Sequence, residues 1–273
     1  MGCTTGAKFF NDGQTLVVFK NKDFKVKSHI DELSFDHSQA FGVRGVNLRN
    51  KTAAGFSIGV NQHGLVAVNS NILATSDSPY DLITERIVLE AKTVDEAIEI
   101  CEQEVKRRID YQWCNMVVAT PEQLVAIELT SSELATTQSH DYLVRTNHHL
   151  ILKTNEAIIE ADPDKEKQNI EHSEIRFINT DRILKFASNV EDIFSLLKSH
   201  KEAAICRHGQ SSSQDLSYTT VYSYLIVINI EKSPKIVFNV AKGPPCQHTF
   251  IRFNLEFPLT NEKTERIKQD YPF

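Results

Sequence analysis

The sequence predicts an α+β protein dominated by antiparallel sheet, and three observations predict it. β-rich apolar runs arrive as hairpin pairs, and helical periodicities arrive in twos between them. The strict strand–helix alternation of a parallel sheet is not followed. The elements justify this in order. Residues 15–19 form a short β-rich run, and residues 55–71 read as a hairpin whose arms, 56–60 and 65–68, flank a turn at Asn61-Gln62-His63-Gly64. Residues 80–91 suit a helix. Thr93-Val94-Asp95-Glu96 is a capping box, and behind it Ala97, Ile98, Cys101 and Val105 recur at helical spacing. A second hairpin runs from 115–118 through Thr120-Pro121-Glu122 to 124–127. Residues 173–187 (Ile175, Ile178, Ile183, Phe186) and 191–199 form a second helical pair. Strands follow at 221–230, 235–241 and 249–255. Residues 161–167 read as a solvated loop. No repeat or low-complexity tract divides the chain, so residues 1–273 are read as a single domain.

Composition narrows the function. Apolar residues make up 41% of the chain and charged residues 24%, as in ordinary globular proteins. A net charge of −6 argues against a phosphate-backbone binder, so no nucleic-acid partner is expected. The one basic cluster, Lys106-Arg107-Arg108, falls at a helix end, where it complements the helix dipole. No run approaches the ~18 apolar residues that span a bilayer, so no membrane partner is expected. The first thirty residues lack a basic-then-apolar leader pattern, which makes the cytoplasm the expected location. The five cysteines (Cys3, Cys101, Cys114, Cys206 and Cys246) are odd in number and widely spaced, suiting neither a disulfide framework nor a zinc site. Most are expected to be buried, inert thiols.

Cys3 is the exception. By itself it has three readings: an ordinary thiol, a lipid attachment point beside Gly2, or a nucleophile made terminal by removal of two residues. The lipidation pattern wants Ser or Thr at position six, where this chain has Gly6. Two decoys are weaker. Gly55-Phe56-Ser57-Ile58-Gly59 fits the G-x-S-x-G pattern, but Arg49-Asn50-Lys51-Thr52 before it is polar and a hairpin strand follows, whereas a nucleophile elbow needs a strand before and a helix after. A serine hydrolase using Ser57 therefore stays as one alternative, and a catalytically silent binding protein in which Cys3 is never freed stays as another. His148-His149 suggests metal, but adjacent histidines on a strand point to opposite faces and no carboxylate or cysteine stands at ligand spacing, so no metal is expected.

The order of short motifs carries a resemblance. Gly2-Cys3-Thr4-Thr5 at the start is followed by Asn21-Lys22-Asp23, Gly59-Val60-Asn61-Gln62-His63-Gly64-Leu65 with Asn69-Ser70-Asn71, Thr146-Asn147-His148, Ile205-Cys206-Arg207-His208 and Gly243-Pro244-Pro245-Cys246. Together they resemble the acyl-coenzyme A:isopenicillin N acyltransferase family of N-terminal-nucleophile hydrolases, related to the choloylglycine hydrolases. The resemblance implies a four-layer αββα sandwich of two antiparallel sheets, and a cysteine amidase or acyltransferase that exposes Cys3 by autocatalytic cleavage. Its substrate would be a small-molecule amide or acyl donor. No cofactor is expected, acyl-coenzyme A entering only as a substrate, and homo-oligomers are open.

The resemblance also assigns residues. Cys3 is the nucleophile, and its α-amine, ordinarily near pKa 7.7–8.0, is the base. Asp23 matches the aspartate that holds that amine, with a turn or cap as its bland reading. Asn71 and Asn147 match positions that orient substrate and stabilise the oxyanion, a task for a neutral preset donor, although turns are the commoner use of Asn. Arg176 matches the site arginine of the choloylglycine branch, with Arg207 its rival; either also suits a surface ion pair. Lys20 departs from that branch, which has Arg there, and counts against bile-salt hydrolysis because a Lys cannot make the forked contacts.

Overall fold

The computed structural model describes residues 2–24, 29–47, 52–107, 109–201, 204–208, 218–231 and 234–272. Met1, Arg49, Asn50, Lys51 and Arg108, invoked above, lie outside the described residues. The chain opens with β1 (Gly2–Phe10) and β2 (Thr15–Phe24), joined by a turn in which Asn11, Asp12 and Gly13 all take positive φ. There follow β3 (His29–Ser34), β4 (Ala40–Asn47), β5 (Thr52–Asn61), β6 (Val66–Leu73), then helices α1 (Asp81–Glu90) and α2 (Val94–Lys106). Next come β7 (Trp113–Ala119), β8 (Leu124–Leu129), β9 (Leu134–Ser139) and β10 (Tyr142–Arg145). Helices α3 (Asn155–Ala161), α4 (Pro163–Phe186) and α5 (Val190–Leu197) lead to β11 (Thr219–Asn229), β12 (Lys235–Lys242), β13 (Ile251–Leu255) and α6 (Asn261–Asp270).

Two antiparallel sheets result. The six-stranded one runs β10-β1-β2-β11-β12-β13, and the seven-stranded one follows chain order from β3 to β9. One core lies between them: Leu16, Val18, Tyr224 and Phe238 of the first sheet meet Phe41, Ile58, Val68 and Val117 of the second. A second core packs α1 and α2 on the outer face of the seven-stranded sheet, through Ile83, Ile87, Ala97 and Cys101 against Met116, Val118 and Ile127. A third packs α4 and α5 on the six-stranded sheet, through Leu184, Ile193 and Leu197 against Val17, Phe19 and Leu225. The layers are therefore α, β, β, α, the expected sandwich. Period-two alternation on β2 feeds two different cores, with Leu16 and Val18 inward and Val17 and Phe19 outward.

Both hairpins and both helix pairs form where expected. At the predicted capping box, Thr93 Oγ1 accepts from the Glu96 N–H, but the Glu96 carboxylate takes the N–H of Lys92 rather than that of Thr93. One expectation is corrected. Residues 161–167 are not a loop: Ala161 ends α3 and Pro163 begins α4, where a first-turn proline sacrifices no hydrogen bond. Of the apolar residues whose spacing suggested α4, Ile175, Ile178 and Phe186 are 52%, 61% and 76% exposed, and Ile183 packs against the third core. The buried stripe of α4 is Ile170, Ser173, Arg176, Thr180 and Leu184, at the same helical spacing but largely polar.

Candidate active site

Cys3 is the second residue of β1, directly opposite Lys22 on β2, and Gly2 is opposite Asp23. Neighbouring side chains leave a strand on opposite faces. Cys3 thus shares with Ala7 the face toward the second sheet, while Gly2, Thr4 and Asp23 turn toward α4. The thiol is buried, with Cys3 only 3% exposed. At this end β1 overhangs its other neighbour, because pairing with β10 begins only at Thr5. The Cys3 backbone is consequently held by side chains. Its N–H donates to Asn147 Oδ1 at 2.7 Å, and its carbonyl accepts from Arg176 Nη1 at 2.7 Å.

Asn147 is the junction of the site. Its Oδ1 also accepts from Arg176 Nη2 at 2.9 Å, and its Nδ2 donates to the Asn71 carbonyl at 2.6 Å. Guanidinium only donates and a carbonyl only accepts, so these partners fix which way the amide points. One Nδ2 hydrogen is engaged by Asn71. Arg176 completes its reach with Thr4 Oγ1 at 3.1 Å. Asn71 takes part through its backbone, and its side-chain Oδ1 is buried without a partner among the described residues.

Asp23 lies under the residue that precedes Cys3. A Cβ on Gly2 would sit 3.0 Å from Asp23 Oδ2 and 3.2 Å from Arg207 Nη1. The carboxylate accepts from Thr220 Oγ1 at 2.8 Å, and Arg207 Nη1 stands 3.9 Å from Oδ2. Burial raises the Asp23 carboxyl from 3.8 to about 6, against the opposing pull of Arg176, Arg207 and the Thr220 hydrogen bond. The two rival arginines thus share the site: buried Arg176 grips the Cys3 backbone, and half-exposed Arg207 faces Asp23.

Lys20 and Ser57 belong to a neighbouring buried network. Lys20 Nζ donates to Ser57 Oγ at 2.6 Å, to the Ser57 carbonyl at 3.3 Å and to Asn69 Oδ1 at 3.0 Å. Burial lowers the Lys20 pKa, while the Cys3 thiol and nearby acidic groups work the other way. Three acceptors match the three donors of an ammonium and leave no lone pair to take a serine proton. Ser57 also sits inside β5 with strand β6 following, so the elbow geometry is not met. Ser57→Ala is expected to keep full turnover while costing about 1.5–3 kcal/mol of stability, the usual loss for a hydrogen bond to a charged group. Urea unfolding and a rate assay on the same sample check both.

Several supporting residues were not legible in the sequence. Ser173 of α4 accepts the Asn147 backbone N–H at 2.7 Å and lies 2.9 Å from His148 Nδ1. Glu128 of β8, fully buried, accepts the backbone N–H groups of Leu150, Ile151 and Leu152 at 2.9, 2.9 and 3.0 Å, which anchors the loop that carries Asn147. Neither has a sequence signal, because both act through contacts between segments far apart in the chain. His148 and His149 lie in that loop, not on a strand as expected. His149 bonds Thr154 Oγ1 and the Cys114 carbonyl, so the two rings serve separate structural partners. Burial lowers the His148 pKa to about 4.

The remaining cysteines divide into two kinds. Cys101 and Cys114 are buried thiols, the first raised by burial to about 12 and the second raised well above its ordinary value. The fold gathers His200, Cys206, His208 and Cys246 until their ligand atoms lie within 4.8 Å of one another. A cleft of about 790 Å³ opens alongside, lined by Thr220, Tyr222, Lys242, Pro244 and His248 among others. Cys3 is not in its wall, and Thr220 connects it to Asp23. Among the described residues no helix is long and apolar enough to cross a membrane.

The family model described as acyl-coenzyme A:6-aminopenicillanic acid acyl-transferase matches residues 10–232. That span contains Asp23, Asn71, Asn147, Arg176 and Arg207 and begins downstream of Cys3. No curated protein matches the chain.

Proposed function

The chain belongs to the acyl-coenzyme A:6-aminopenicillanic acid acyl-transferase family, and on that premise we propose that it is an N-terminal-nucleophile amidase or acyltransferase working through an acyl-enzyme on Cys3. The observation that carries this reading is that both backbone polar groups of Cys3 are held by side chains, Asn147 on the nitrogen and Arg176 on the carbonyl. A structural cysteine in a strand needs no such grip. A nitrogen that must become a positioned base does.

Maturation comes first. Cys3 Sγ attacks the Gly2 carbonyl carbon, and the Gly2–Cys3 C–N bond breaks as the nitrogen takes a proton. Water then hydrolyses the resulting thioester and releases the leader. Glycine suits the junction, since it adds no side chain to a space already filled by Asp23 and Arg207. The freed α-amine, still facing Asn147 Oδ1, accepts the thiol proton, and the thiolate attacks the substrate carbonyl. Lys20 lies within electrostatic reach of Cys3. The second Nδ2 hydrogen of Asn147 and the amide of Asn71 supply oxyanion donors. Water or an acceptor amine resolves the acyl-enzyme. The 790 Å³ cleft joined to Asp23 through Thr220 is of a size that suits a small-molecule substrate.

Incubation with a panel of N-acyl amines followed by mass spectrometry tests this directly. An acyl adduct on the Cys3 peptide is the expected result. Turnover with the adduct on another residue would overturn the reading.

Asp23 gives a second test with a defined sign. A raised carboxyl pKa means that the folded protein holds the proton more tightly than the unfolded chain. The ionised carboxylate therefore costs stability fully above pH 6, and the cost is gone below about pH 3.8. In the non-cleaving Cys3→Ala background, Asp23→Asn is expected to add about 2–3 kcal/mol of stability well above pH 6, a gain that closes as pH falls through that window. In active protein the same change should lower kcat with little effect on KM, because the carboxylate orients the base rather than the substrate. An effect confined to KM would assign Asp23 to substrate binding instead.

A further inference from the structure

We propose that His200, Cys206, His208 and Cys246 form a structural zinc-type site that pins the segment carrying Arg207 beside Asp23. Three separate stretches of chain converge there: the turn after α5, the segment before β11, and the turn after β12. Cys246 Sγ is 3.1 Å and Cys206 Sγ 3.9 Å from His208 Nε2, and all four ligand atoms lie within 4.8 Å of one another. With metal–sulfur bonds near 2.3 Å and metal–nitrogen bonds near 2.0–2.1 Å, the edges of an N₂S₂ tetrahedron are roughly 3.3–3.8 Å. The cluster needs only a slight contraction to close on an ion.

The second shell agrees. His200 Nδ1 lies 2.9 Å from the Cys206 carbonyl. A carbonyl only accepts, so Nδ1 carries the hydrogen and Nε2 keeps the lone pair, the arrangement that orients a ligating imidazole. Cys206 is buried while the other three residues are exposed, which leaves the ion a path from solvent. Two thiolates and two imidazoles with no carboxylate select a borderline-soft ion over calcium or magnesium. Four protein ligands leave no open position, which makes the site structural rather than catalytic.

Its place in the fold says what it would do. Arg207 sits between two of the ligands, and its backbone N–H and carbonyl are tied to Thr220, the residue that also donates to Asp23. A metal on Cys206 and His208 fixes that short segment on both sides of Arg207 in sequence and holds the guanidinium 3.9 Å from the carboxylate. The consequence for turnover rests on the reading of Asp23 given above; the metal site itself does not.

Full-length protein kept under reductant should bind one equivalent of Co(II), with the visible bands of a tetrahedral ion and a thiolate-to-metal charge-transfer band, and zinc should displace it one for one. Cys246→Ser and His208→Ala should each weaken binding by more than the ~10–100-fold that loss of an outer-shell partner costs. Cys3→Ala should keep the full spectrum, so a failed catalytic mechanism and a failed metal site give different results. Substoichiometric cobalt, a spectrum unchanged by Cys246→Ser, or a Cys206–Cys246 disulfide that forms in the presence of zinc would each overturn the proposal.

Discussion

Cys3→Ala is expected to abolish amide turnover, by about 10⁴-fold or more, because the loss of a covalent nucleophile removes the whole acyl-enzyme pathway at once. The fold should survive. Only one sulfur atom leaves the space between the sheets, and the backbone contacts to Asn147 and Arg176 do not involve the side chain. The same variant should keep Gly2 on every chain, whereas active wild-type protein should begin at Cys3. Intact-mass analysis beside a rate assay reads both. Full activity from protein in which every chain retains Gly2 would leave the thiol without its base and refute the mechanism. Cys3→Ser should keep a trace of turnover at most, since an alcohol is far less ionised than a thiol near neutral pH.

Asn147→Ala is the second large effect, and it should act on chemistry and folding together. Removing a preset oxyanion donor costs ~10²–10³-fold in rate. Here it also leaves Arg176 Nη2 and the Cys3 N–H without their acceptor and the Asn71 carbonyl without its donor. About 2–3 kcal/mol of stability should go with them. Asn147→Asp separates the roles. It keeps an oxygen facing Arg176 and the Cys3 nitrogen but has no amide hydrogen to donate, so it should still remove Gly2 yet turn substrate over slowly. Maturation that stops in Asn147→Asp would assign the residue to cleavage rather than to the oxyanion.

Some of this architecture was readable along the chain because its causes are local. The β-rich runs at 56–60 and 65–68 around the turn at 61–64 produce a hairpin whatever lies above it, and Thr93 caps α2 with a residue three positions away. Asp23, Asn147 and Arg176 stood out through short motifs whose order resembles a family pattern, and the fold brings all three to the Cys3 end of β1.

What escaped has a single physical character. On α4 the apolar residues Ile175, Ile178 and Phe186 face solvent, while Ser173, Arg176 and Thr180 lie in the buried stripe beside Ile170 and Leu184. Patterns read apolar as inside, and that rule fails where a helix turns polar side chains such as Ser173 and Arg176 toward the site. Glu128 carries no sequence signal, because its three hydrogen-bond donors lie in a loop more than twenty residues away. Cys206 and Cys246, forty positions apart in sequence, become neighbours only because the segment before β11 and the turn after β12 meet at the same end of the six-stranded sheet. The sequence by itself determined the class of fold through local pattern, and the order of its motifs, by resemblance to a family, singled out Cys3 and the residues proposed to assist it. Tertiary structure alone decided that the Cys3 backbone is gripped by Asn147 and Arg176, that Arg176 and Arg207 both lie near Asp23, and that four scattered His and Cys side chains meet, because each depends on side chains whose contact is fixed by packing and not by spacing.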